Sequence, residues 1–183
     1  MKTNGKLFFI TVYLTILVSM DIIIKSTLNT LQKSQYLLDK LDDAILSNAS
    51  VSPYNSSIGS HLRHILDFYD CILNIEENSV DLTARKRDTK IETCCNSAKD
   101  YLLSLMENLN GLRGDLNNTI RVIDDLGLGK IEITYTLSAL LAQANSHTIH
   151  HYAIINYILD RLGIVINDSD FGYNPTTPKE TAY

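Results

Sequence analysis

"TLSALLAQANSHTIHHYAIINYIL" spans residues 136–159, and its reading decides both the fold class and where to look for function. Each residue of an α-helix advances about 100° around the axis. On that wheel Leu137, Leu140, Leu141, Ala144, Thr148, Ile155, Ile158, Leu159 and Leu162 form one inward stripe. A helix from about Thr136 to Leu162 follows, with Gly163 as its stop signal. His151 lies inside the stripe, His147 one turn earlier lies on its edge, and His150 points well away. H-x-x-x-H on one helical face stacks two rings, a common way to present two nitrogen ligands to a metal. A single buried histidine is ordinarily structural and hydrogen-bonded. Two inward histidines would need two sets of buried partners, and this helix supplies few.

Working outward from this helix, the same period recurs. Ile91, Cys94, Cys95, Ala98, Leu102, Leu105, Met106, Leu109 and Leu112 share a face of a third helix, which "GLRGDLNN" (111–118) stops. Between the two helices, "TIRVI" and "IEITY" are short β-type runs around "DDLGLGK", predicting a small hairpin too short to form a sheet of its own. Ile24, Leu28, Leu31, Leu38, Leu41 and Ile45 predict a first helix over about 21–47, which "SNASVSPYNSS" breaks. Ser57 caps a second, with Ile58, Leu62, Ile65, Phe68 or Tyr69, and Ile72 inward, ending near residue 76. "DLTARKRDTK" (81–90) reads as a charged connection. Four long amphipathic helices predict an all-α domain, a four-helix bundle over residues 20–164, with the hairpin between helices 3 and 4. Residues 165–183 form a polar tail, extended or loose, with Phe171 and Tyr173 as its candidates for pinning to the bundle.

Composition bounds the function classes. A chain of 183 residues is long enough for one domain with a real core, and three prolines and eight glycines favour long helices. A net charge of −5 argues against a general grip on nucleic acid, which needs a basic face. The three cysteines, Cys71, Cys94 and Cys95, are odd in number and include a vicinal pair. They read as reduced thiols in a cytoplasm rather than as a disulfide framework, and Cys94 and Cys95 as small packing groups. The N-terminus points the other way: Lys2 and Lys6 precede an apolar run from Leu7 to Val18, the shape of an export signal. The run is short for a membrane span and lacks a small-x-small cleavage site. Residues 1–19 are read as an extension upstream of a natural start at Met20, with a membrane anchor or an export signal as the alternatives.

The remaining histidines, His61 and His64, lie in "SIGSHLRHIL" on the second helix. A third ligand for the His147 and His151 pair would come from here; periodicity leans to His61 without deciding. "SIGSHLRHILDFY" followed by "HTIHHYAII" resembles the DinB/YfiT-like family. It is most similar to a bacterial subgroup carrying R-x-R-D-x-x-I-E between the two motifs, here Arg85, Arg87, Asp88, Ile91 and Glu92. The resemblance runs from about Met20 into the "DFGYNPTTP" tail and excludes the N-terminal extension. It implies a bundle holding a divalent metal, Zn²⁺, Ni²⁺ or Fe²⁺, on three histidines: His64, His147 and His151. It overrides the lean to His61; His150, by its place on the wheel, is read at the surface or behind the ligands.

Three imidazoles leave coordination positions open, the mark of a catalytic site. The resemblance implies a thiol-dependent S-transferase, with a low-molecular-weight thiol as a candidate partner, and a metal-activated water would make the alternative a hydrolase acting on a small molecule. The alternative is a non-catalytic metal-binding or interaction module, dimeric through its helix faces. An apolar pocket beside the metal would favour the enzyme, and a sealed metal the module. No residue is assigned a catalytic role beyond the metal. Arg85, Lys86 and Arg87 read first as a solvated charge run. Their functional reading is an anion clamp, with Arg85 and Arg87 binding a substrate carboxylate or phosphate.

Overall fold

The structure is a computed structural model and describes residues 22–178. Helix α1 covers residues 22–38, and the short α2 (Asp43–Leu46) follows. Helix α3 spans Ile58–Leu73, strand β1 Ser79–Asp81, α4 Lys90–Thr93, α5 Cys95–Gly111, β2 Thr119–Asp125, β3 Lys130–Thr136 and α6 Leu137–Arg161. The N-terminal apolar run of the sequence reading lies outside the described residues. Among the described residues no helix is long and apolar enough to cross a membrane.

The expectation of an all-α four-helix bundle is overturned. The described residues form six helices and a three-stranded mixed sheet in the order β1-β2-β3. Strands β2 and β3 are the anticipated hairpin, paired antiparallel from Thr119↔Thr136 to Asp125↔Lys130. Strand β1 then adds in parallel, with Ser79 opposite Arg121. Its three residues carry too little pattern to be seen by period, yet Val80 is fully buried, as is Leu82 just after the strand. Once β1 is in place the hairpin is no longer a lone ribbon. Ile120 and Val122 turn inward from the central strand, while β3 stays largely at the surface. The tight hairpin turn is held by Asp125, whose Oδ1 accepts from the backbone N–H groups of Gly127 and Gly129.

Helix boundaries follow local chemistry. The first helix breaks after residue 38, because Asp42 starts a new one by accepting from Ile45 N at 2.8 Å. Ser57 caps α3 by accepting from Ser60 N, and Thr136 caps α6 by accepting from Ala139 N. The third amphipathic segment is split at Cys94, whose extended backbone separates α4 from α5. Gly163, at φ +71°, ends the last helix.

Helices α3 and α6 face one another through the middle of the core. Thr148 donates to Ala144 O and lies 3.3 Å from the Tyr69 hydroxyl, so both polar groups are satisfied where they are buried. Tyr152 reaches the other way, donating to Thr30 O on α1 and hydrogen-bonding Ser34. The tail is built into the fold as far as Phe171, which is 1% exposed and stacks on Tyr152 with ring centroids 4.7 Å apart. Gly172 lets it approach so closely. A Cβ there would sit 2.8 Å from Ala153 Cα, and φ is +78°. Tyr173 is mostly exposed, so the tail is pinned by one of its two aromatic rings.

Phe171→Ala removes a fully buried ring that stacks on Tyr152 of α6. It is expected to cost about 3 kcal/mol of unfolding free energy in urea denaturation. A loss under about 1 kcal/mol would mean that the tail is not part of the cooperative unit.

Candidate metal centre

The site is built from two helices. Helix α6 runs uninterrupted for 25 residues and presents His147 and His151 one turn apart. Helix α3 presents His61 and His64 from its first two turns toward the same place. One ring nitrogen each from His64, His147 and His151 lie within 4.8 Å of one another. His64 Nε2 is 2.9 Å from His147 Nε2, and His151 Nε2 is 3.2 Å from the same atom. Tetrahedral zinc with nitrogen at 2.0–2.1 Å sets its donors about 3.3 Å apart, so the His64–His147 and His147–His151 pairs need to open by only a few tenths of an ångström. An all-imidazole donor set suits zinc, nickel or iron and not magnesium or calcium. The residues therefore fit a transition metal.

Two partners stand behind the three rings. His61 Nδ1 is 2.9 Å from His151 Nδ1, and His61 Nε2 is 2.8 Å from Ser56 Oγ. His61 thus supports His151 from behind, on the nitrogen away from His147. On the other side Arg85 Nη1 lies 3.0 Å from His64 Nδ1, and Arg85 Nε donates to Leu82 O. Phe68 packs against the His147 ring, with centroids 5.1 Å apart, and beneath the Arg85 guanidinium. His150 is exposed, and its ring lies 6.5 Å from that of His147.

All four clustered imidazoles are half-buried, and each loses affinity for protons. Burial is the main cause throughout. It takes His64 from 6.5 to about 4, with Arg85 and then His147 adding repulsion. It takes His151 to about 2, with His147, His64 and His61 adding theirs. Neutral rings at pH 7 are the form a metal requires.

The two arginines singled out from the sequence part company. Arg85 joins the histidines. The Arg87 side chain is exposed, and its backbone N–H, at φ +53°, donates to Asp67 Oδ2. Lys86 pairs with Asp70 at 2.8 Å. A network that the sequence reading did not single out anchors this segment. Asp67 is 1% exposed and accepts from Arg63, the Arg87 backbone and, at 3.5 Å, the Tyr101 hydroxyl. Arg63 also pairs with Glu92. The signal available was Arg63 and Asp67 at i and i+4 on a helix, with Glu92 closing the arginine motif. Gly59 completes the packing, since a Cβ there would sit 2.0 Å from Glu92 O. Cys71, off the predicted stripe of its helix, is nonetheless buried. It lines one cleft together with Asp70, Asp81 and Ala84, at the junction of α3 with the segment that starts in β1. Cys95 is buried as a packing group, and Cys94 is half-buried.

No family model matches this chain, and no curated protein matches it.

Two outcomes are expected. Asp67→Ala removes the buried acceptor shared by Arg63, which keeps only Glu92, and by the Arg87 backbone N–H, loosens the 81–92 segment, and should cost about 3 kcal/mol in denaturant unfolding. The second concerns pH. The folded-state values of His64 and His151 lie below 6.5, so as pH falls the unfolded chain takes up protons first. The chelator-treated protein should hold its stability above about pH 7 and lose it from about pH 6.5 to about pH 4 through both rings, and on toward about pH 2 through His151. Replacing His64 and His151 together by Gln should flatten that slope in urea midpoints, and an unchanged slope would remove the histidines as its cause.

Proposed function

We propose that this chain is a divalent-metal-dependent enzyme of the DinB-like kind, with the metal held by His64, His147 and His151. The observation that carries this reading is the convergence of three half-buried imidazoles from two helices on one point. Three protein ligands leave a coordination position for a reactant, and a bound metal there would activate a water or a thiol for attack at neutral pH. The family part of the proposal rests on the order and spacing of the two histidine motifs and the arginine motif, since the mixed sheet departs from the expected bundle.

The chain's own residues supply the rest. His61 and Ser56 orient His151 through its other nitrogen. Phe68 gives the site an apolar wall. The rings are only partly covered, so a small molecule can reach them; this favours the enzyme over a sealed metal-binding module. The substrate class proposed is a small electrophile attacked by a low-molecular-weight thiol, or a small ester or amide attacked by water.

The test begins with metal content. The purified protein should carry zinc, nickel or iron, and His64→Ala, His147→Ala and His151→Ala should each lose it while His150→Ala keeps it. Full metal retention by the His147 and His151 variants would overturn the site. A screen of thiols against electrophiles, with ester hydrolysis run in parallel, then separates transferase from hydrolase.

A further inference from the structure

Resting on the metal reading above, we infer that Arg85 is a tautomer latch: it holds His64 in the form that cannot ligate through Nε2, so metal binding requires Arg85 to leave His64. The argument is one of donors and acceptors. A histidine that ligates through Nε2 carries its proton on Nδ1 and needs an acceptor behind it. Behind His151 stands His61, backed by the Ser56 hydroxyl. Imidazole and hydroxyl each donate or accept, so this chain reverses at no cost in hydrogen bonds. His151 Nδ1–H donates to His61 Nδ1, His61 Nε2–H donates to Ser56 Oγ, and His151 Nε2 keeps a free lone pair.

Behind His64 stands a guanidinium, which has five donors and no acceptor and stays protonated. With Arg85 Nη1 at 3.0 Å, His64 Nδ1 can only accept. The neutral ring then has its proton on Nε2, aimed at His147 Nε2 at 2.9 Å. That N–H occupies the direction in which His64 would bind a metal. Arg85 is set in this place by its Nε–H donating to Leu82 O and by Phe68 beneath it. It sits in a segment fastened on both sides, by Leu82 N to Ile123 O and by Arg87 N to Asp67. The backbone can therefore stay still while the arginine side chain swings out. Once released, it carries an uncompensated positive charge beside the metal, where an anionic group of a substrate would meet it.

The experiment compares wild type with Arg85→Gln, whose shorter, neutral side chain takes the guanidinium donor away from His64 Nδ1. Zn²⁺ affinity is measured by competition with a chromophoric chelator, and His64 is followed by imidazole ¹⁵N chemical shifts in chelator-treated protein near neutral pH. The wild type should show His64 protonated on Nε2 alone, and Arg85→Gln should show a population protonated on Nδ1. Arg85→Gln should bind Zn²⁺ about tenfold to a hundredfold more tightly, the usual size of an outer-shell effect on metal affinity. Equal or weaker Zn²⁺ binding by Arg85→Gln overturns the latch, and so does an Nδ1-protonated His64 in the wild type, which is read without metal or a variant. If the tautomers are as stated and neither protein binds Zn²⁺, the metal reading fails and the latch falls with it.

Discussion

A buried carboxylate organises this molecule around its site. Asp67 lies in the middle of α3 at 1% exposure, and an unpaired charge there would be costly. Its needs are met from two directions: the Arg63 side chain on its own helix, and the Arg87 backbone on a segment distant in sequence. Satisfying Asp67 therefore fixes the 81–92 segment against α3. Arg63 extends the tie to Glu92, and the bare backbone at Gly59 lets α4 settle onto the helix. Arg85 sits two residues before the anchored position. Its placement against His64 is a by-product of solving the problem at Asp67.

The histidine cluster depends on the opposite kind of element. Helix α6 needs no long-range charge to place His147 and His151; its unbroken period and its contacts through Thr148 and Tyr152 suffice. The site thus joins a rigid half, carried by α6, to a half governed by polar bonding around α3. The two halves differ in what stands behind their rings. On one side are groups that exchange donor and acceptor roles, and on the other a group that cannot.

Much of this was legible in the sequence, and the rest was not for identifiable reasons. The helix period placed His147 and His151 on one face because that arrangement is local. The Ser57 cap likewise follows from nearby residues. Strand β1 was missed because three residues give no period, and its identity comes from a partner far along the chain. That omission turned a mixed fold into an all-α expectation. The first helix was drawn too long because its apolar spacing continues past the point where Asp42 restarts the backbone. Choosing between His61 and His64 was beyond periodicity, since both rings enter the cluster and only their partners separate them. "ARKRD" looked like a solvated run because three charges in a row hide three separate fates, on His64, on Asp70 and in solvent.

The parallel pairing of β1 with β2 sets an order of assembly. Helices α3, α5 and α6 and the β2–β3 hairpin each form from neighbours in sequence, and such contacts close early. Strand β1 must wait, because Ser79 finds Arg121 only after α4 and α5 have carried the chain back beside it. The segment bearing Arg85 leaves β1 directly and takes its position with it. The histidine cluster closes a longer loop still, since His64 and His147 stand 83 residues apart in sequence, so the imidazoles and the guanidinium meet only as the last contacts of the fold are made.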